Sequence, residues 1–177
     1  MIHVLLSISG KDRAGIVRDV AESLVNIQAN IEDSSMTALR GRFTMMLIVH
    51  LNDASDMGEL KATLAELEQR TALTVQSQVL SEDEVQHLSP EPDCVITVSG
   101  ADQAGIVYAV SDVLADVGAS IVDVSTQVRS TDGGDIYMMA LEAVSQGRSE
   151  LLTSRLQDTA RQLGVEIQLH DLASDIL

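Results

Sequence analysis

Along the first half of the chain the spacing of apolar residues changes period several times. HVLLSIS, from His3 to Ser9, is a short apolar run that stops at Gly10, and from Ala14 to Ile27 the positions Val17, Val20, Ala21 and Leu24 follow helical spacing. The pattern predicts a buried strand running into an amphipathic helix. Two strand-like segments joined by a tight connection come next, Asn30 to Leu39 and Arg42 to Leu51. Met57, Leu60, Leu64 and Leu67 then stripe a second helix, and Leu73 to Leu80 reads as a closing strand. The same succession starts again at Cys94. CVITVS ends at Gly100, Val107, Val110 and Leu114 mark a helix, and Ser120 to Arg129 and Asp135 to Val144 flank a Gly-Gly hairpin. Leu152, Leu156, Ala160 and Leu163 stripe the last helix, Gly164 stands at its C-cap position, and Val165 to Leu172 is the final strand.

The recurrence is a duplication. Shifted by 90 residues, Ser9–Ser35 aligns with Ser99–Ser125 without a gap, and 13 of the 27 pairs are identical. Met45-Met46 aligns with Met138-Met139 if the second copy carries three more residues, and Thr131 to Asp135 (TDGGD) is where they would sit. Both prolines of the chain lie in HLSPEPD, so the expected layout is a first domain over 1–86, a linker over 87–93 and a second domain over 94–177. The fold class is α+β: two ferredoxin-like βαββαβ units in tandem, each an antiparallel sheet with both helices on one face. The other face and the sheet edge need cover, which docking of the two domains on each other would supply.

Composition narrows the function. Eleven Lys and Arg against 27 Asp and Glu give a formal net charge of −16, which excludes the basic surface that phosphate-backbone binding requires. With 2% aromatic residues and no Trp, platforms for stacking bases are excluded as well. The one cysteine, Cys94, has no partner for a disulfide. The amino-terminal apolar run lacks a basic flank and a cleavage site, and the longest apolar stretch is of strand length. A soluble cytoplasmic protein, with no membrane partner, is expected.

The repeated turns SGKDRAGIV and SGADQAGIV invite a chemical reading. Their Gly-to-Gly spacing matches a phosphate-binding loop, but Ile16-Val17 and Ile106-Val107 stand where that loop needs Lys and Ser or Thr. What remains is the start of a helix, whose free N–H groups and partial positive charge suit a carboxylate. Gly15 and Gly105 lie where a missing side chain admits another group, and Asp12 and Asp102 stand where an ammonium could be held. A purely structural reading competes: Asp is a preferred N-cap, and Gly lets the helix pack closely on the sheet. Asp33 and Asp123 are repeated too, and on an extended strand they would share a face with Ile31 and Ser35, and with Ile121 and Ser125.

The strand, the G-x-D-x-A-G-I-V turn, the amphipathic helix and then Ala29-Asn30-Ile31-Glu32-Asp33 resemble the ACT domain, a small amino-acid-binding regulatory module. Among tandem members the chain is similar to the glycine cleavage system transcriptional repressor group, through Asp12–Val17 and Asn30–Ser34. The resemblance implies a ligand lying between the turn of one domain and the start of the second strand of a neighbour. It implies Asp12, Ala14, Gly15, Ile16, Asn30 and Ile31 for one half, and Asp102, Ala104, Gly105, Ile106, Ser120 and Ile121 for the other. The ligand implied is a small amino acid, with glycine or serine as candidates, and the assembly implied is a homo-oligomer. Two departures stand out: the family's usual turn proline is Ala in both copies, and Asn30 is matched by Ser120. Gln28 stands opposite Gly118, so the two helix ends need not be shaped alike.

No catalytic constellation is legible. His3, His50, His87 and His170 have no metal-ligand spacing, Cys94 falls in a predicted strand, and Glu82-Asp83-Glu84 reads as a solvated run. No metal, cofactor or catalytic residue is expected, and the two copies leave no room for an enzyme domain. The expected function is an amino-acid sensor acting through a partner protein rather than on DNA. A ligand-free protein-interaction module on the same fold is the alternative.

Overall fold

β1 (Ile2–Lys11) buries every second side chain, and Val4, Leu6 and Ile8 are fully enclosed. β3 (Arg42–Leu51) does the same with Phe43, Met45, Leu47, Val49 and Leu51. These two strands lie antiparallel at the centre of a sheet ordered β2-β3-β1-β4, with β2 at Asn30–Leu39 and β4 at Thr74–Val79. Two helices cover one face: α1 (Ile16–Asn26), through Ile16, Val20 and Leu24, and α2 (Asp56–Thr71), through Leu60, Leu64 and Leu67. Burying a Leu or Ile of this kind stabilises by about 1.5–3 kcal/mol, so the central strands and the helix stripes carry the unit. A short helix, α3 (Glu82–Gln86), follows β4.

The second unit repeats the plan. β5 (Cys94–Ala101), α4 (Ile106–Val117), β6 (Ser120–Thr131), β7 (Gly134–Val144), α5 (Ser149–Leu163) and β8 (Glu166–Asp171) form a sheet ordered β6-β7-β5-β8 under two helices. Each unit is thus βαββαβ with an antiparallel sheet, the α+β architecture expected. The structure is a computed structural model that describes residues 1–53, 56–87, 90–131 and 133–172. Contacts divide the chain into units Met1–Leu88 and Ser89–Leu177. Residues 88 and 89 of the expected linker, and Asp132 of the TDGGD stretch, lie outside the described residues. Asp93, at the end of that linker, is bonded into the second unit: its N–H donates to the Ala143 carbonyl, and its carboxylate accepts from the Ser145 N–H at 2.7 Å and hydroxyl at 2.9 Å.

Two expectations need correction. The first concerns the inserted residues. Ile8 pairs with Met45 and Val98 pairs with Met139, so Met45 is equivalent to Met139 and Met46 to Ala140. The second copy therefore carries four more residues, not three. They extend both arms of the hairpin by two, adding the pairs Ser130–Asp135 and Thr131–Gly134 beyond Arg129–Ile136, where the first hairpin closes at Leu39–Arg42. An odd insertion would turn β7 over, exposing its buried residues; an even one keeps every side chain on its face.

The second concerns Asp33 and Asp123. β2 and β6 each carry a bulge, between Ile31 and Asp33 and between Ile121 and Asp123. Ile31 pairs with Val49, which faces the helices, whereas Asp33 pairs with Ile48 on the open face. The extra residue, Glu32 or Val122, breaks the two-residue period, so neither Asp shares a face with its Ile.

The helix ends, which the sequence left free to differ, close in the same way. Gln28 (φ 55°) and Gly118 (φ 75°) both adopt the left-handed conformation, with matching bonds from Ala29 N–H to Leu24 and from Ala119 N–H to Leu114. The acidic run is exposed, as expected of a solvated face, and it forms a short helix. Ser81 caps α3 and Glu84 returns a bond to the Ser81 N–H at 2.8 Å, a capping box spelled S-x-x-E in the sequence.

Candidate ligand site at the helix starts

The repeated turn leaves β1 at Lys11 and enters α1 at Ile16. Asp12 N–H donates to the Gly41 carbonyl at 2.9 Å, tying the turn to the β2–β3 hairpin. Its two glycines serve different ends. A Cβ on Gly10 would sit 2.6 Å from Leu73 Cδ2, and on Gly100 2.7 Å from Val165 Cγ1, so the first glycine lets the strand meet the residue that opens the last strand. Gly15 (φ 84°) and Gly105 (φ 96°) are the N-caps of α1 and α4 in the left-handed conformation, which a Cβ disfavours.

Because the N-caps are glycines, Asp12 and Asp102 do not cap the helices, and the structural reading of those aspartates fails. Neither helix start receives a side-chain cap. The first N–H groups of α1 and α4 therefore have no side-chain cap, and Asp12, Ala14, Gly15, Asp102, Ala104 and Gly105 are exposed around them. Ile16 and Ile106 are buried, 4% and 1% exposed, so at these positions only the backbone can meet a ligand.

The two starts differ in charge. In the first unit Arg13 Nη2 lies 2.6 Å from Asp19 Oδ2 and Arg18 Nη2 lies 3.0 Å from Asp19 Oδ1. The Arg18 guanidinium reaches back to 3.5 Å from where a Gly15 Cβ would stand. Hydrogen bonds from Arg13 and then Arg18 hold the Asp19 carboxyl below the usual carboxylate range, against burial, which pushes it up. With Lys11 and Asp12 of the same turn, three cations stand against two carboxylates at this mouth, an excess of positive charge. The duplicate positions in the second unit are Gln103, Tyr108 and Ala109. Gln103 Nε2 donates to the Leu163 carbonyl at 2.6 Å, and Tyr108 is 74% exposed.

The other half of the expected site lies elsewhere. Asn30 pairs with His50, and β2 then runs the length of the sheet to Leu39 and Arg42, beside the end of β1 where the turn begins. Ten residues of strand put roughly 30 Å between Asn30 or Ile31 and the turn of the same unit. Ser120 and Ile121 stand likewise at the far end of β6 from Asp102–Gly105. A ligand touching both halves would need a turn from one unit and a strand start from a neighbour.

Spacing in the sequence missed one cluster. His3 and His50 are cross-strand neighbours with ring centroids 5.8 Å apart, and Glu32, the bulge residue of β2, lies 3.3 Å from His3 Nε2 and 3.7 Å from His50 Nδ1. Strand register, which residue numbers alone do not reveal, brings them together. Among the described residues no group of three His, Cys, Asp or Glu is arranged to hold a metal ion. Cys94 is buried in β5, its thiol pushed up to about 12 by burial and by Asp93 and Asp171, which makes it a core residue rather than a nucleophile. No helix among the described residues is long and apolar enough to cross a membrane.

A family model for the ACT domain matches this chain twice, over residues 3–78 and 93–170. The chain belongs to the ACT domain family. Within this regulatory family it is similar to single-unit relatives: a UPF0237 protein of Corynebacterium diphtheriae is 33% identical over 82 residues, 45% of this chain and 92% of that one. A UPF0237 protein of Methanopyrus kandleri is 38% identical over 65 residues, 36% of this chain and 72% of that one. Tandem ACT architecture recurs among solved structures. A protein of Galdieria sulphuraria is 30% identical with a TM-score of 0.78, over 97% of this chain and 98% of that one. A protein named for a proposed role as a glycine cleavage system transcriptional repressor has a TM-score of 0.74 at 20% identity, over 96% of each chain. At that identity the likeness shows the tandem ACT fold.

Proposed function

We propose that this ACT protein is an amino-acid sensor whose output is a change in its binding to a partner protein. The observation that carries the reading is the pair of uncapped helix starts, each opened by a left-handed glycine and each with an aspartate three residues before it. A carboxylate accepts from the free N–H groups, while the ammonium of the same molecule is held by Asp12 or Asp102, so the turn is complementary to a zwitterion. The strand start of a neighbouring unit, Asn30-Ile31 or Ser120-Ile121, closes the site. Glycine and serine are the candidates for the amino acid recognised. The net charge of −16 directs any transcriptional effect, including one on glycine cleavage, through a protein rather than DNA.

Thermal denaturation with each of the twenty amino acids tests this, because a ligand of the native state raises Tm by mass action. A rise with one small amino acid, lost in Asp12→Ala and Asp102→Ala together, is the expected result. No rise with any of them would leave the second reading, a ligand-free interaction module. One observation favours that alternative: every residue of β2 and of β6 is exposed, so each edge strand presents unpaired backbone groups along its length.

A further inference from the structure

On the open face of the second sheet, strand pairing sets side chains in rows. Thr97, Ala140 and Ser125 stand side by side across β5, β7 and β6, and Ser99, Met138 and Gln127 form the next row. Val98 and Met139 lie between the rows with their side chains buried on the helix face, so their backbone forms the floor. Three small side chains against Met138 and Gln127 leave a shallow hollow of about 340 Å³. The duplicate lacks the cause of this hollow. Met46 occupies the place of Ala140, pairing with Ser7 and Ser35 where Ala140 pairs with Thr97 and Ser125, and it stands 49% exposed above the sheet.

We propose that the hollow is a second ligand site, separate from the helix starts, for a small neutral molecule with an apolar body and an amide or alcohol group. Its volume falls at the lower end of ligand pockets, roughly 300–1,000 Å³. Three hydroxyls and one carboxamide supply both donors and acceptors, and the Met138 thioether and Ala140 methyl supply apolar contact. The lining contains no charged side chain. Beyond it on the same face, Asp123 pairs with Glu142 at one end and Arg129 with Ile136 at the other, while Glu166 stands beside Ser99, so charges of both signs flank the hollow without lining it. Within the lining itself a zwitterion finds no counter-charge for its carboxylate. The ligand class therefore differs from that of the helix starts, and the two sites can fail independently.

The test is an NMR titration of protein labelled at the methionine methyls, with ε-caprolactam as the neutral probe and glycine and serine titrated separately. Caprolactam is expected to shift the Met138 methyl saturably, whereas glycine and serine leave it unmoved whatever they do at the helix starts. Ala140→Met should weaken caprolactam binding at least tenfold with Tm little changed, because Ala140 is exposed on the open face; the first unit carries Met there, with Thr44 in the place of Met138. Gln127→Ala, on an exposed strand, should weaken it severalfold without filling the hollow. An unsaturable shift, or one that survives Ala140→Met, would overturn the proposal. So would a Met138 methyl that moves with protein concentration alone while sedimentation shows a dimer, since a second copy would then be what covers the hollow.

Discussion

At the scale of single residues, the repeated turn separates two kinds of glycine. An alanine at position 10 brings its Cβ to 2.6 Å from the tip of Leu73 but leaves the Leu73 Cα at 3.5 Å, so rotation of a flexible side chain relieves the clash. At position 100 the neighbours are Val165 Cγ1 at 2.7 Å, Cβ at 3.0 Å and Cα at 3.2 Å. A β-branched side chain cannot rotate away, and the backbone must move. Gly100→Ala should therefore destabilise by about 1–3 kcal/mol, with Gly10→Ala costing clearly less, as measured by urea denaturation. Equal losses would count against the packing account. Asp19 gives a pH-dependent counterpart. Its carboxyl is depressed in the folded state by Arg13 and Arg18, so its contribution is present above the unfolded carboxylate pKa, about 4, and is lost as pH falls through the depressed value. Asp19→Asn should be less stable at neutral pH and should lose less stability than the parent on going below about pH 4. Acid denaturation followed by circular dichroism compares the two.

At the scale of elements, the two hairpins show why strand length is constrained by parity. Removing Ser130, Thr131, Gly134 and Asp135 would leave a two-residue loop like Arg40-Gly41, with every β7 side chain still on its face. Removing only three of them would offer the solvent Tyr137, Met139 and Leu141, which the helices now cover. The four-residue deletion is expected to keep a cooperative unfolding transition, and the three-residue deletion to abolish it or lower Tm sharply. The same parity marks what could be read in advance. Period-two and period-3.6 patterns located the eight strands and four main helices because half-buried elements repeat that way. The bulges at Glu32 and Val122 were not legible, since one unpaired residue leaves no trace in composition and yet reverses the facing of all that follows. Nor was the full exposure of β2 and β6. Ile31, Val124 and Val128 look like core residues in the sequence, but the strands stand at the sheet edge, beyond the cover of the helices. The capping box of α3 was spelled out but hidden in a run of charge.

At the scale of the molecule, duplication has kept the geometry of two helix starts while changing their electrostatics. The turn glycines, the aspartates and the uncapped N–H groups occur in both units, and this part of the candidate site was legible because the motif repeats. The difference between Arg13, Arg18 and Asp19 on one side and Gln103, Tyr108 and Ala109 on the other gained meaning only from structure, which shows both guanidiniums sharing one carboxylate beside Gly15. In a chain of net charge −16, that local excess of positive charge would favour a carboxylate at the first unit over the second. Exposed charges are screened over about 8–10 Å at physiological salt, so the two sites should respond to salt differently. If the sensor reading holds, titration calorimetry with the recognised amino acid at low ionic strength should resolve two unequal steps, the tighter one weakening as salt is added and the other changing little. Arg18→Gln frees no buried group, because Arg13 still pairs with Asp19, so a loss of affinity would reflect the charge rather than the fold. That variant should reduce the tighter step severalfold at low salt, converge with the parent at about 1 M salt, and leave the second step unchanged. Two steps of equal affinity and equal salt dependence would mean that the arginine pair serves only to anchor Asp19.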